Sequence, residues 1–174
     1  MIQKIGSWFR RMIHRKPIVP TPSPTPGPYP PNKGVYVTRA QLLKIATDTL
    51  GDRYPFIVAR PPLLWDTEYY LPSVEYTKLV VANDQTDAEK YITNKGDCDK
   101  FSKLLWARFT QDAWKDGKLR AAHAFGMIWG RIPGPGGHAI CWVVNDDLRM
   151  RFIEPQTDLY EDISKIKEVW GMAA

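Results

Sequence analysis

Gly136-Gly137-His138-Ala139-Ile140-Cys141-Trp142-Val143-Val144-Asn145-Asp146-Asp147-Leu148-Arg149-Met150-Arg151-Phe152-Ile153-Glu154 reads as two β-strands joined by a polar turn. His138 to Val144 is apolar and rich in β-branched and aromatic residues, as a buried strand requires. Asn145-Asp146-Asp147 supplies turn chemistry. From Leu148 the period-two rule puts Leu148, Met150, Phe152 and Glu154 on one face. A hairpin centred on Asp146 then brings the neighbourhood of Glu154 beside His138. Upstream, the apolar stretch Ala124 to Ile132 and the turn Pro133-Gly134-Pro135-Gly136-Gly137 add a third strand, so the C-terminal half is an antiparallel meander.

The preceding residues carry a helical period. Thr38-Arg39-Ala40-Gln41 is a capping box that opens a helix ending near Leu50-Gly51. Residues 53–72 read as irregular with one short strand. Pro72-Ser73 starts a second helix to about Ala82, although Tyr76 to Val81 also suits a strand. A short helix is expected around Thr86 to Ile92. A further helix follows Asn94-Lys95-Gly96-Asp97-Cys98 and runs to about Thr110, with Phe101, Leu104 and Leu105 on its buried face. Helices first and an antiparallel meander afterwards indicate an α+β domain.

The ends of the chain differ in chemistry. Of 24 basic residues, five (Lys4, Arg10, Arg11, Arg15 and Lys16) fall in residues 1–16, which hold no acid; the remainder balances 19 basic against 19 acidic side chains. Ile2, Ile5, Trp8, Phe9, Met12 and Ile13 recur at helical spacing among those charges, an amphipathic basic helix suited to an anionic membrane surface or to a groove on a protein partner. Pro17 to Lys33 contains eight prolines, and as polyproline II such a tract spans about 50 Å. The expected organisation is therefore a basic helix at 1–16, a Pro-rich linker at 17–33 and a globular domain at 34–174. The neutral balance of that domain argues against nucleic-acid binding. Two cysteines, no apolar run of membrane-spanning length and no secretory h-region suggest a reducing, cytoplasmic setting, with peripheral membrane or virion association through the N-terminal helix.

Cys98 heads its helix, where unpaired N–H groups and the helix dipole favour a thiolate. Asp97 is placed to cap that helix through its carboxylate. A thiol, then His138 after two glycines, then Glu154 at a strand end are the parts of a cysteine nucleophile, its base and an orienting acid. Trp142 shares the His138 face and is a candidate to shield the imidazole. A zinc site is not expected, because His138 and Cys141 point to opposite faces of a strand and no CxxC occurs. Asp84, Asp87, Asp97 and Asp99 lack the spacing of an EF-hand. No metal or cofactor is expected.

Gly96-Asp97-Cys98-Asp99-Lys100-Phe101, Gly137-His138-Ala139 and Phe152-Ile153-Glu154-Pro155-Gln156-Thr157 resemble the transglutaminase-like branch of the papain-like superfamily, including bacterial cysteine peptidases and small phage-encoded proteins, over about residues 66–158. The resemblance implies a papain-like fold with Cys98 on a central helix packed against the sheet. It also implies hydrolysis of a peptide or amide substrate, or acyl transfer to an amine. Glu154 stands where the superfamily more often has Asp or Asn, which leaves Asp158 as a second candidate orienter. The Cys98 N–H is the expected oxyanion donor, with Asn94 or Gln85 as partners, and Lys100 replaces an acid common in the group. The rival expectation is a catalytically silent binding or virion-associated structural module.

Overall fold

The computed structural model describes residues 35–55, 61–92, 97–132 and 136–174. The expected helix at 1–16, the linker at 17–33, Asn94 and most of the Pro-Gly turn at 133–137 lie outside the described residues.

The class is α+β. A short strand β1 (Val35–Thr38) leads into α1 (Arg39–Leu50). Thr38 and Gln41 exchange both hydrogen bonds of the capping box, which satisfies donors that the first helical turn leaves unpaired. β2 (Glu68–Leu71) pairs antiparallel with β1. Ser73 then caps α2 (Val74–Asn83) through its hydroxyl, which decides the helix-or-strand ambiguity at Tyr76 to Val81. The helix expected at Thr86 to Ile92 is only a 3-10 turn, Thr86–Ala88. α3 (Cys98–Lys115) is longer than expected, because the buried stripe Phe101, Leu105, Phe109 continues to Asp112. Leu104 is not on that stripe; it is 51% exposed.

The main sheet contains β3 (Phe125–Arg131), β4 (His138–Val144), β5 (Met150–Glu154), β6 (Leu159–Glu161) and β7 (Glu168–Ala173) in the order β6-β5-β4-β3-β7. β3 to β6 form the meander, and β7 returns antiparallel to the free edge of β3. That return needs glycines. A Cβ on Gly126 would lie 1.9 Å from the Ala173 carbonyl oxygen, and one on Gly130 would lie 2.0 Å from that of Glu168.

Each face of the sheet carries its own core. Ile140, Trp142, Val144, Met150 and Phe152 pack with α1 and the β1–β2 pair, through Leu42, Ala46, Leu50, Tyr69 and Leu71. Cys141, Val143, Ile153 and Phe125 pack with α2 and α3, through Tyr76, Val80, Leu105 and Phe109. The alternation of β4 and β5 between these two sets is the period-two rule at work.

Candidate functional site

α3 brings Cys98 to the His138 end of the sheet. The Cys141 thiol donates to the Ser102 carbonyl at 3.4 Å, and the Ser102 hydroxyl donates to the Cys98 carbonyl at 2.9 Å. Seven residues on, Phe109 stacks on Phe125 with centroids 3.8 Å apart, and Phe125 pairs with Val143. Moving along α3 from Ser102 to Phe109 therefore moves along β4 from Cys141 to Val143. The helix and strand run the same way, and stepping back one turn to Cys98 (about 6 Å at 1.5 Å per residue) reaches the start of β4. Cys98 is a free, half-buried thiol there.

His138 Nε2 and Glu154 Oε2 are 2.5 Å apart, and both side chains are 15% exposed. The expected register is corrected. Leu148 takes a φ of +60°, the turn is closed by bonds from Asn145 N–H to Arg149 O and from Leu148 N–H to Asn145 O, and Cys141 pairs with Ile153. The hairpin is centred on Asp147 rather than Asp146, and His138 and Glu154 meet as diagonal neighbours, whose long side chains reach one another. Glu154 is itself braced, since its Oε1 accepts from the Gln156 N–H at 3.2 Å. Its bond to Nε2 leaves Nδ1 as the remaining nitrogen of the imidazole.

Among the described residues no hydrogen bond joins Cys98 to His138. The reason lies in the pleat. His138 and Glu154 have the parity of Ile140 and Phe152, which face α1, whereas α3 covers the opposite face. The two sides come together at the end of β4, where His138 is the first paired residue and Gly136 (φ +84°) and Gly137 precede it.

The surroundings differ from expectation in several ways. Asp97 occupies the N-cap position, but its carboxylate accepts no N–H of the first helical turn. It lies 2.8 Å from Lys100 Nζ, while Asp99 holds Lys100 at 2.9 Å and Lys103 at 2.6 Å. Burial opposes the charge on Asp99, but its hydrogen bonds with Asp97, Lys103 and Lys100 outweigh that and hold its pKa below the ordinary carboxylate range. The acids of this first turn are thereby spent, and no metal-binding group of His, Cys, Asp or Glu occurs among the described residues. Gln85 gives its amide to the Asp84 carbonyl. Asp158 is bonded to Glu154 only through the backbone; burial first, then Asp87 and Asp84, push its carboxyl up to about 6.

Trp142, the candidate to shield the imidazole, is a core residue. It is fully buried, and its Nε1–H is shared by the Met127 and Ala173 carbonyls at 3.2 Å each. The aromatic beside this corner is Trp170 of β7, whose ring lies where a Cβ on Gly137 would come within 2.5 Å. The sequence gives no cue to it, because β7 is placed by pairing with β3. Two other features were likewise unmarked. Tyr91, Ile92 and Leu104 form an exposed apolar cluster near the start of α3. Trp65 stacks on Trp106 at 5.8 Å beside the buried His123, whose pKa burial lowers to about 4.

No protein-family model matches the sequence, and no curated protein is similar to it. Several solved structures share its fold, among them two complexes. One is Polyporus squamosus lectin bound to the human-type influenza-binding epitope Neu5Aca2-6Galb1-4GlcNAc, with a TM-score of 0.65 and 14% identity. The other is a PSL1a-E64 complex, with a TM-score of 0.60 and 19% identity. Each likeness covers 80% of this chain, which spans about half of those chains (49% and 51%). The papain-like, transglutaminase-like assignment is corrected accordingly: the α+β class stands, but the fold is one shared with a lectin chain. The three motifs behind that assignment cover one helix start and one hairpin, and so few residues leave the order of a five-stranded sheet open.

Proposed function

We propose that this chain is a cysteine-dependent amide or peptide hydrolase, or acyl transferase, built on Cys98, His138 and Glu154. The observation that carries the reading is the 2.5 Å contact between His138 and Glu154 at the end of the sheet to which α3 delivers Cys98. A carboxylate on Nε2 holds the imidazole in the tautomer whose bare Nδ1 accepts a proton. That is the arrangement a thiol nucleophile requires of its base.

In this reading Nδ1 takes the Cys98 proton as the thiolate forms a C–S bond to the substrate carbonyl. The imidazolium returns the proton to the departing amine as the C–N bond breaks. Water or a second amine, deprotonated by His138, then releases the acyl group from sulfur. The imidazole must turn over the start of β4 to meet Cys98, a closure of the kind that catalytic hydrogen bonds undergo when substrate binds. The E64 in one neighbouring complex fits this chemistry, since a thiolate opens the epoxide of that compound. Residues 1–16 would hold the enzyme to an anionic membrane or a protein partner, which co-sedimentation of the full chain with anionic vesicles tests.

The deciding experiment treats the full chain with E64 and locates the adduct by peptide mass spectrometry, alongside turnover of a mixed peptide library. Adduct at Cys98 but not at the buried Cys141, and turnover lost in Cys98→Ala, support the mechanism. Turnover retained in Cys98→Ala sinks it.

A second reading, a glycan-binding module, is favoured by the lectin neighbour and by one surface. Trp114, 82% exposed, borders a pocket of about 430 Å³ with Asp66, Glu68, Thr110 and Arg120. Binding of Neu5Aca2-6Galb1-4GlcNAc that disappears in Trp114→Ala, with Cys98 inert to E64, would replace the first reading by this one.

A further inference from the structure

We infer, resting on the reading of Cys98 as the nucleophile, that the apolar pocket flanking the start of α3 is the specificity site and that it takes an uncharged aliphatic or aromatic side chain of the substrate. The pocket has a volume of about 490 Å³, with Ile92, Phe101 and Leu104 as its apolar lining and Lys90 and Lys103 among its rim residues. Ile92 is 47% and Leu104 51% exposed, and the neighbouring Tyr91, 50% exposed, stacks on Phe101 with centroids 6.4 Å apart. Three large apolar side chains left half in water at one place mark a surface that gains by being covered.

Charge decides against an ionic occupant. Lys103 is held by Asp99 at 2.6 Å, and Lys100 lies within 2.9 Å of both Asp97 and Asp99. Glu89 and Lys90, adjacent in sequence and opposite in charge, also line the pocket. What the pocket offers is apolar area whose two α3 lysines already have carboxylate partners.

Distance ties the pocket to the thiol. Phe101 follows Cys98 by three residues on α3, and such positions are neighbours on a helix, with Cβ atoms about 5–6 Å apart. Leu104 lies about 9 Å further along the axis from Cys98 at 1.5 Å per residue. One extended peptide residue spans about 3.3–3.6 Å. A substrate whose carbonyl sits at Cys98 therefore places in the pocket the side chain one or two residues from the scissile bond.

The test compares rates of Cys98 alkylation in the full chain by three chloromethyl ketones: N-acetyl-Gly-Gly, N-acetyl-Leu-Gly and N-acetyl-Gly-Leu. Each forms a thioether with Cys98 and releases chloride. One leucine compound should react at least about tenfold faster than the glycine compound, the gain expected from burying a leucine side chain. In Leu104→Glu, and to a lesser extent in Ile92→Ala, that ratio should collapse toward one, with folding checked by circular dichroism. Equal rates in the unaltered chain, or a leucine preference that survives both substitutions, overturn the specificity site and leave the nucleophile standing. Cys98 inert to all three compounds overturns both.

Discussion

Replacing Glu154 by Gln alters the charge and one donor at the His138 contact while keeping the shape. Gln retains a carbonyl oxygen to accept from the Gln156 N–H, so the turn after β5 keeps its anchor. What changes is the partner of His138 Nε2. A carboxylate only accepts, which keeps the proton on Nε2 and leaves Nδ1 bare; the amide can donate, which allows the proton to move to Nδ1 and disables it as a base. The contact is 2.5 Å long and both side chains are 15% exposed, so the interaction is little screened by water. A hydrogen bond to a charged group at such a site is worth about 1.5–3 kcal/mol. At about 1.4 kcal/mol per decade, Glu154→Gln should slow E64 alkylation of Cys98 by roughly 10- to 150-fold.

The assay is the second-order rate of adduct formation at Cys98, followed by peptide mass spectrometry with Cys141 as internal control. Burial raises the Cys141 pKa, so its labelling reports any loss of fold. The full cycle adds His138→Ala and the double variant. Because Glu154 acts through the imidazole, its replacement should cost nothing further once His138 is gone. An unchanged rate in Glu154→Gln refutes the orienting role. An equal further loss in the His138→Ala background also refutes it, since Glu154 would then act by another route.

One half-buried and one buried titrating group and one core side chain give further outcomes. Asp158, pushed up to about 6 chiefly by burial, binds its proton more tightly folded than unfolded, where the value is about 3.9. Stability should fall as pH rises from about 4 to about 6, and Asp158→Asn, which tolerates the φ of +58°, should raise Tm at pH 7.5 but not at pH 4; an equal change at both pH values refutes this. His123, lowered to about 4 by burial against about 6.5 unfolded, contributes stability above pH 6.5 that is lost as pH falls toward 4. His123→Phe should lower Tm at pH 8, because the Phe109 carbonyl loses the Nδ1–H donor, yet flatten the acid limb; an unchanged slope there counts against it. Trp142→Phe should cost about 2–4 kcal/mol in urea unfolding through lost volume and two abandoned carbonyls, and a loss below about 1 kcal/mol would contradict the packing.

Elements whose signals are local were legible in the sequence. The Thr38 capping box and the Ser73 cap each satisfy donors within three residues, so α1 and α2 announce their own starts. β4 is legible because Ala139 to Val144 are all buried, on both faces, and read as a continuous apolar run. Elements fixed by distant partners were not. β1 exists because Val35 to Thr38 pair with Leu71 to Glu68, β6 because Leu159 to Glu161 pair with β5, and β7 because it accommodates a register shift opposite Trp129 and Gly130. The hairpin register slipped for a related reason. Leu148 adopts a left-handed conformation that its residue type does not advertise, and the turn lengthens by moving its centre one residue on.

The candidate site divides along the same line. His138 and Glu154 belong to one hairpin, so two adjacent strands suffice to bring them together, and an error of one residue in the turn centre changed them from direct to diagonal partners without separating them. Cys98 belongs to another layer. Its relation to His138 depends on how far α3 extends along β4, which the Ser102–Cys141 and Phe109–Phe125 contacts set across the domain core. Parity within β4 then turns the imidazole toward α1 while α3 covers the other face, so thiol and base can meet only around the first residue of the strand. The glycine at 137 and the Trp170 ring over it define that passage. A side chain added at Gly137 must displace the indole, and the conformational freedom of this corner, rather than the identity of the three polar residues, sets whether the thiol and the imidazole act as one unit.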